Sequence, residues 1–292
     1  MDGDRLVYGA EYGLSRRSAF ATVALGTTFA LSVQPVSAQT MITTPADGLV
    51  AGEVKVKTKD GKEMAAYRAH PASGTGFGTV LVVQEVFGVH AHIADLCRRF
   101  AKAGYYAISP ELYFRQGDPK TYTDIPRLIS ELVSKVPDDQ VMNDLDSAVA
   151  FAKTEGKADT AKLAVTGFCW GGRIVWLYAA HNSGLKAGVA WYGMLNKGFN
   201  PATTVNPMDV TGKLNAPVLG LYGGADAGIP NDSVEKMQVA LKAGNAAAQK
   251  SQIILYPDTP HGFNADYRPS YRKAQAEEGW AKAIAWFKAN GV

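Results

Sequence analysis

The chain has 292 residues, 47% of them hydrophobic and 20% charged, with a formal net charge of +3. These values exclude a disordered chain, a collagen-like chain and a multi-pass membrane protein, and they leave length enough for a sizeable core. The balance of 30 Lys and Arg against 27 Asp and Glu, with no dense basic run, argues against nucleic acid as a partner, and two cysteines cannot make a disulfide scaffold.

The first forty residues form a separate unit. Arg16-Arg17 precedes an uncharged stretch from Ser18 to Gln39, which ends in Val36-Ser37-Ala38. A positive start, a modest apolar run and a small-x-small end describe an export signal over residues 1–38. The paired arginines resemble a twin-arginine signal and point to the periplasm, although Phe20 stands one place later than the usual pattern. A transmembrane anchor is disfavoured because Gly26, Thr27, Thr28 and Ser32 dilute the segment and Pro35 lies near its end. Translation from Met41 would instead give a cytoplasmic form.

After the leader, strands and helices alternate. Glu53 to Lys57 and Met64 to Arg68 flank the turn Lys59-Asp60-Gly61-Lys62, an opening hairpin. Thr79 to Gln84 is almost wholly apolar, as a buried parallel strand should be. His92 to Ala103 carries Ile93, Leu96, Cys97 and Phe100 at helical spacing and is closed by Gly104. Further strands are expected at Tyr105–Ser109, Leu163–Gly167, Ala187–Tyr192, Val218–Tyr222 and Gln252–Tyr256. Further helices are expected at Val141–Lys153, Gly171–Ala180, Asn231–Ala243 and Arg272–Lys288. The alternation predicts an α/β fold with a mostly parallel sheet covered on both faces. With no repeat, low-complexity tract or linker after residue 45, residues 39–292 read as one domain.

In such a sheet, chemistry gathers at the carboxyl ends of the strands. The residues there include Glu85-Val86-Phe87-Gly88, Gly167-Phe168-Cys169-Trp170-Gly171, Gly193, Gly223-Gly224-Ala225-Asp226 and Pro257 to His261. The second group is a G-x-C-x-G stretch between a strand and a helix, the nucleophile-elbow pattern with sulfur in place of a hydroxyl. The glycines relieve crowding at the turn, and the following helix aims its positive end at the sulfur. A buried structural cysteine is the bland alternative, weakened by the strand before, the helix after and Gly172.

A thiol nucleophile needs a base, and the base an orienting acid. Of the five histidines, only His261 lies beyond the elbow helix and after a late strand. Asp226, just past a strand end, is preferred as the acid over Asp209, Asp232 and Asp258. The backbone N–H groups of Val86 and Trp170 are the candidate oxyanion donors. Glu85 follows an apolar run directly, and a buried carboxylate there is costly unless partnered. His90-x-His92 hints at a metal, but two ligands at a helix start are too few, and no metal or organic cofactor is expected.

From about Thr44 to Val292 the chain resembles the dienelactone hydrolase family of α/β-hydrolases. The resemblance rests on Gln84-Glu85-Val86-Phe87-Gly88, Glu111-Leu112-Tyr113-Phe114-Arg115, Gly167 to Gly172 and His261-Gly262-Phe263. It implies an α/β-hydrolase fold and a Cys169–Asp226–His261 triad. It also implies that Glu85 keeps the resting thiol protonated and helps to deprotonate it when substrate binds. The substrate it implies is a small lactone bearing a carboxylate, gripped by two arginines that fall on Arg115 and, at an altered spacing, Arg268. The other readings are a carboxylesterase acting on another small ester or thioester, and a non-catalytic, redox-responsive protein with a reactive thiol. A monomer is expected, with no nucleic acid partner and no stable membrane insertion after the leader is cleaved.

Overall fold

The computed structural model describes residues 41–201 and 205–292, so the leader lies outside the described residues. An eight-stranded sheet runs in the order β1-β2-β4-β3-β5-β6-β7-β8. β1 (Leu49–Lys57) and β2 (Glu63–Pro71) form the expected hairpin, longer at its outer ends, and β2 joins the body antiparallel to β4 (Tyr106–Pro110). β3 (Phe77–Val83), β4, β5 (Ala158–Phe168), β6 (Leu185–Trp191), β7 (Val218–Gly223) and β8 (Gln252–Tyr256) are parallel. Their centres are buried on both faces: Val80 to Val83 in β3 and Ala164 and Val165 in β5 are all fully enclosed. This is why they read as continuous apolar runs rather than alternations.

The five longest helices are α1 (Ala91–Lys102), α2 (Asp138–Thr154), α3 (Trp170–His181), α4 (Asn231–Ala243) and α5 (Lys273–Ala289). α1 and α5 cover one face, joined by Phe100 against Trp280 at 4.4 Å between ring centroids. α2, α3 and α4 cover the other. Each agrees with its sequence expectation to within a few residues at its ends. The short irregular helices over 119–135 and at Pro207–Lys213 and Ala246–Lys250 carry no long apolar period and were not expected. Among the described residues no helix is long and apolar enough to cross a membrane.

The topology places the site. From β3 the chain crosses to β4 on one side, while β5 to β8 follow in order on the other. The carboxyl ends of β3 and β5 therefore flank the point where the strand order reverses, the place where open α/β sheets leave a crevice. Glu85 follows β3 and Cys169 follows β5.

Candidate active site

Cys169 links β5 to α3 with φ 57° and ψ −114°, a left-handed backbone that a side-chain-bearing residue adopts only under constraint. The constraint is close backbone packing. A Cβ on Gly167 would sit 2.3 Å from the Gly171 carbonyl oxygen, and one on Gly171 would sit 2.5 Å from the carbonyls of Val83 and Gln84. A Cβ on Gly172 would meet the Trp191 carbonyl at 2.4 Å. The Cys169 N–H donates to that same carbonyl at 3.0 Å. The elbow is thus wedged between β3 and β6. Trp170 is the first residue of α3, so its N–H has no acceptor within the helix.

Asp226 and His261 are brought together from two strand ends. The Ala225 N–H donates to the Thr259 carbonyl at 3.0 Å, and Gly223 lets that loop approach so closely that a Cβ would lie 2.2 Å from the same oxygen. Asp226 accepts from the Gly228 N–H at 2.8 Å through one oxygen and faces His261 Nδ1 at 2.6 Å through the other. His261 is 2% exposed. Burial opposes its charged form, but the Asp226 carboxylate and the sulfur of Cys169 beside it prevail and push the imidazole up to about 10.

Glu85 is fully buried in a polar cluster. Its Oε2 accepts from the Tyr267 hydroxyl at 2.5 Å and faces His90 Nε2 at 3.1 Å, while Oε1 lies 3.3 Å from Arg268 Nη2. Burial pushes this carboxyl up, yet the Arg268 charge and the His90 hydrogen bond outweigh it and hold it well below the usual carboxylate range. Arg268 also donates to the Tyr267 hydroxyl at 2.7 Å and lies over the Phe87 and Tyr267 rings. Its Nε and Nη1 are buried without hydrogen-bond partners.

Cys169, Asp226, His261, Glu85, Val86, Trp170 and Arg268 therefore gather around one end of the sheet. Arg115 does not join them. Its Nε and Nη2 donate to Asp60 at 3.0 and 2.8 Å, and Nη1 and Nη2 donate to Asp144 at 2.5 and 2.9 Å. Two carboxylates occupy its edges, so it has none left to offer a substrate anion. His90 and His92 diverge as well: His90 faces Glu85, and His92 Nδ1 lies 3.2 Å from Asp266. Cys97 lies in the core beneath α1, where burial pushes its thiol far up. Sequence reasoning missed Tyr267 and Tyr192. Tyr192 looked like a strand residue; β6 ends at Trp191, so Tyr192 is the strand-end residue and stands edge-on to His261 at 5.1 Å.

A mostly parallel sheet, a strained strand-to-helix elbow at the switch point, and an acid–histidine pair from the last two strands define an α/β-hydrolase. A family model described as the dienelactone hydrolase family matches residues 64–291, and the chain belongs to that family of hydrolases. A Methylorubrum extorquens protein is 57% identical over 291 residues, covering 100% of this chain and 98% of its own. One from Escherichia coli K12 is 53% identical over 264 residues, covering 90% and 95%. Both are named provisionally as carboxymethylenebutenolidases. A crystal structure from Klebsiella pneumoniae, provisionally described as a dienelactone hydrolase, superposes with a TM-score of 0.79 at 54% identity, over 82% of this chain and 98% of that one.

Proposed function

We propose that the protein hydrolyses the ester bond of a small, carboxylate-bearing lactone of the dienelactone kind through an acyl-thiol on Cys169. The observation that carries this reading is the alignment of Asp226, His261 and the strained Cys169 at the switch point, beside a buried arginine with two unpartnered nitrogens. In the resting state Glu85 is engaged by Arg268, Tyr267 and His90 and is not free to act as a base toward Cys169. A substrate carboxylate arriving at Nε and Nη1 of Arg268 competes with Glu85 for the guanidinium. Glu85, released, takes the proton from Cys169.

The thiolate then attacks the lactone carbonyl. A C–S bond forms, and the N–H groups of Val86 and Trp170 hold the oxyanion. The ring C–O bond breaks, and His261, already an imidazolium, gives its proton to the departing enolate, which stays tethered to the acyl group. Neutral His261 next takes a proton from water, and the hydroxide cleaves the thioester. The thiolate recovers its proton from Glu85. Asp226 holds the imidazole ring in place throughout and fixes its tautomer while it is neutral.

The leader over residues 1–38 belongs to the same proposal: export by the twin-arginine route, cleavage after Ala38, and a periplasmic monomer formed by the single domain 39–292. N-terminal sequencing of the exported protein that read through Ala38 would refute the cleavage.

Ring opening of dienelactone, followed as loss of its conjugated absorbance, tests the reaction. Turnover by the protein but not by Cys169→Ala, with the carboxylate substrate far ahead of its methyl ester, is the expected result. Equal turnover of both esters would replace the lactone reading with that of a general carboxylesterase.

A further inference from the structure

Tyr192 is used by none of these steps, yet two observations set it apart. Its φ is 38°, a left-handed backbone at a bulky residue, which is rare and costly unless surrounding structure imposes it. Close packing imposes it here. The Tyr192 N–H donates to the Leu221 carbonyl at 2.8 Å, and at the next residue a Cβ on Gly193 would lie 2.2 Å from the Gly172 backbone carbon. The chain is folded sharply against the elbow, and this aims the tyrosine ring at His261.

The second observation is the hydroxyl. Tyr192 is completely buried, and its hydroxyl has no hydrogen-bond partner. Several other buried tyrosines are provided for; Tyr113 and Tyr256 also carry buried hydroxyls without partners, but neither stands on a left-handed backbone. Tyr106 donates to Glu155, Tyr178 to Asp146 and Tyr267 to Glu85, while Tyr222 accepts from Trp176. An unsatisfied buried hydroxyl is a standing cost to the fold and calls for an explanation. The groups whose charges act on the Tyr192 phenol are Glu85, Arg268, Tyr267 and Cys169. Burial keeps the phenol protonated, so it stands among these groups as a neutral donor. Arg268, one of those groups, carries Nε and Nη1 that are also buried and also without partners.

We propose that Tyr192 is a substrate-binding residue whose hydroxyl donates to the free carboxylate of the substrate beside the unpartnered nitrogens of Arg268. It rests on the reading of Cys169 and Arg268 given above and adds a second donor that selects an anionic oxygen. A donor held unsatisfied in the free protein and satisfied on binding discriminates strongly against ligands lacking that oxygen. Ring contacts with His261, Phe263 and Phe168 hold the phenol where it is.

The test uses two alkylating probes of similar size, iodoacetate and iodoacetamide. Each transfers its CH₂ group to the Cys169 sulfur with loss of iodide, and only the first carries a carboxylate. Adducts at Cys169 are read by peptide mass spectrometry, with rates normalised to those of free cysteine. The wild type should favour iodoacetate. In Tyr192→Phe, which keeps the ring against His261, that preference should fall about tenfold or more, the loss expected for one charge-assisted hydrogen bond. The iodoacetamide rate should be unchanged, and the melting temperature unchanged or raised, because a buried unsatisfied hydroxyl has been removed.

A preference kept intact in Tyr192→Phe, an equal slowing of both reagents, or a lowered melting temperature would each overturn the proposal. A wild type with no preference for iodoacetate would overturn it together with the anion site at Arg268. Retention of the preference in the variant overturns only the role of Tyr192. If the phenylalanine variant does not fold, ring-fluorinated tyrosine at position 192 replaces it. Its more acidic hydroxyl is a stronger donor, so the preference must rise; a preference that stays level or falls refutes the assignment.

Discussion

Removing the Arg268 side-chain charge while keeping its bulk, as in Arg268→Met, leaves Glu85 as a buried anion without its cation. Both side chains are fully enclosed, and the closest approach is 3.3 Å. At an effective dielectric constant near 20 that separation corresponds to about 5 kcal/mol of attraction. Tyr267 and His90 still hold Glu85 in the variant and retain part of it. Breaking a buried pair from one side generally costs about 3–5 kcal/mol, and we expect a loss in that range. For a domain of this size that is a fall in melting temperature of roughly 6–20 °C. The double variant Glu85→Gln/Arg268→Met, with no charge left stranded, should recover most of it.

The effect should also depend on pH. The partners hold Glu85 below its ordinary value of 4.5, so its contribution to stability is present above that value and is lost as pH falls. The gap between wild type and Arg268→Met should therefore be widest near neutrality and narrow in acid. Urea denaturation followed by tryptophan fluorescence at several pH values measures it. A single variant within about 1 kcal/mol of wild type, or a double variant no more stable than the single, would refute the electrostatic reasoning.

Four further outcomes are expected. Arg115→Gln should lower stability, because Asp144 is buried and loses its cation, while KM for the lactone stays unaltered; a raised KM would return Arg115 to the substrate. If the proposed mechanism holds, the rate should fall as pH rises through about 10, where His261 loses the proton that the mechanism passes to the leaving enolate. The same group contributes stability that is complete below its ordinary 6.5 and is lost by about 10, so a flat stability–pH curve across that window would contradict its pairing with Asp226. Gly193→Ala should abolish activity and destabilise the fold, since its Cβ would overlap the Gly172 and Arg173 backbone at 2.2–2.3 Å; a variant with wild-type activity would show that the elbow does not need this packing.

The sheet, the elbow and the acid–histidine pair were legible in the sequence because local rules dictate each of them. Buried parallel strands read as apolar runs, Gly167 and Gly171 mark a turn that admits no Cβ, and Asp226 and His261 follow strand ends. Pairing across the fold was not legible. Whether Arg115 meets a substrate or a neighbour depends on Asp60 and Asp144, which lie 55 and 29 positions away. The hydroxyl that holds Glu85 comes from Tyr267, 182 positions along the chain. Tyr192 was hidden by one residue of strand boundary, the feature that periodicity locates least well. The irregular helices between β4 and α2 follow from packing around the strand ends rather than from any apolar repeat.

The acyl-thiol on Cys169 is the claim on which the mechanism turns. Rapid acid quenching of the protein with excess lactone, followed by intact-mass and peptide mass spectrometry, tests it directly. Because the proposed mechanism keeps the leaving enolate tethered, the adduct should carry the whole mass of the lactone. It should map to Cys169, decay with turnover and be absent from Cys169→Ala. Undiminished turnover by Cys169→Ala, with no adduct on the wild type at any time, would contradict the account.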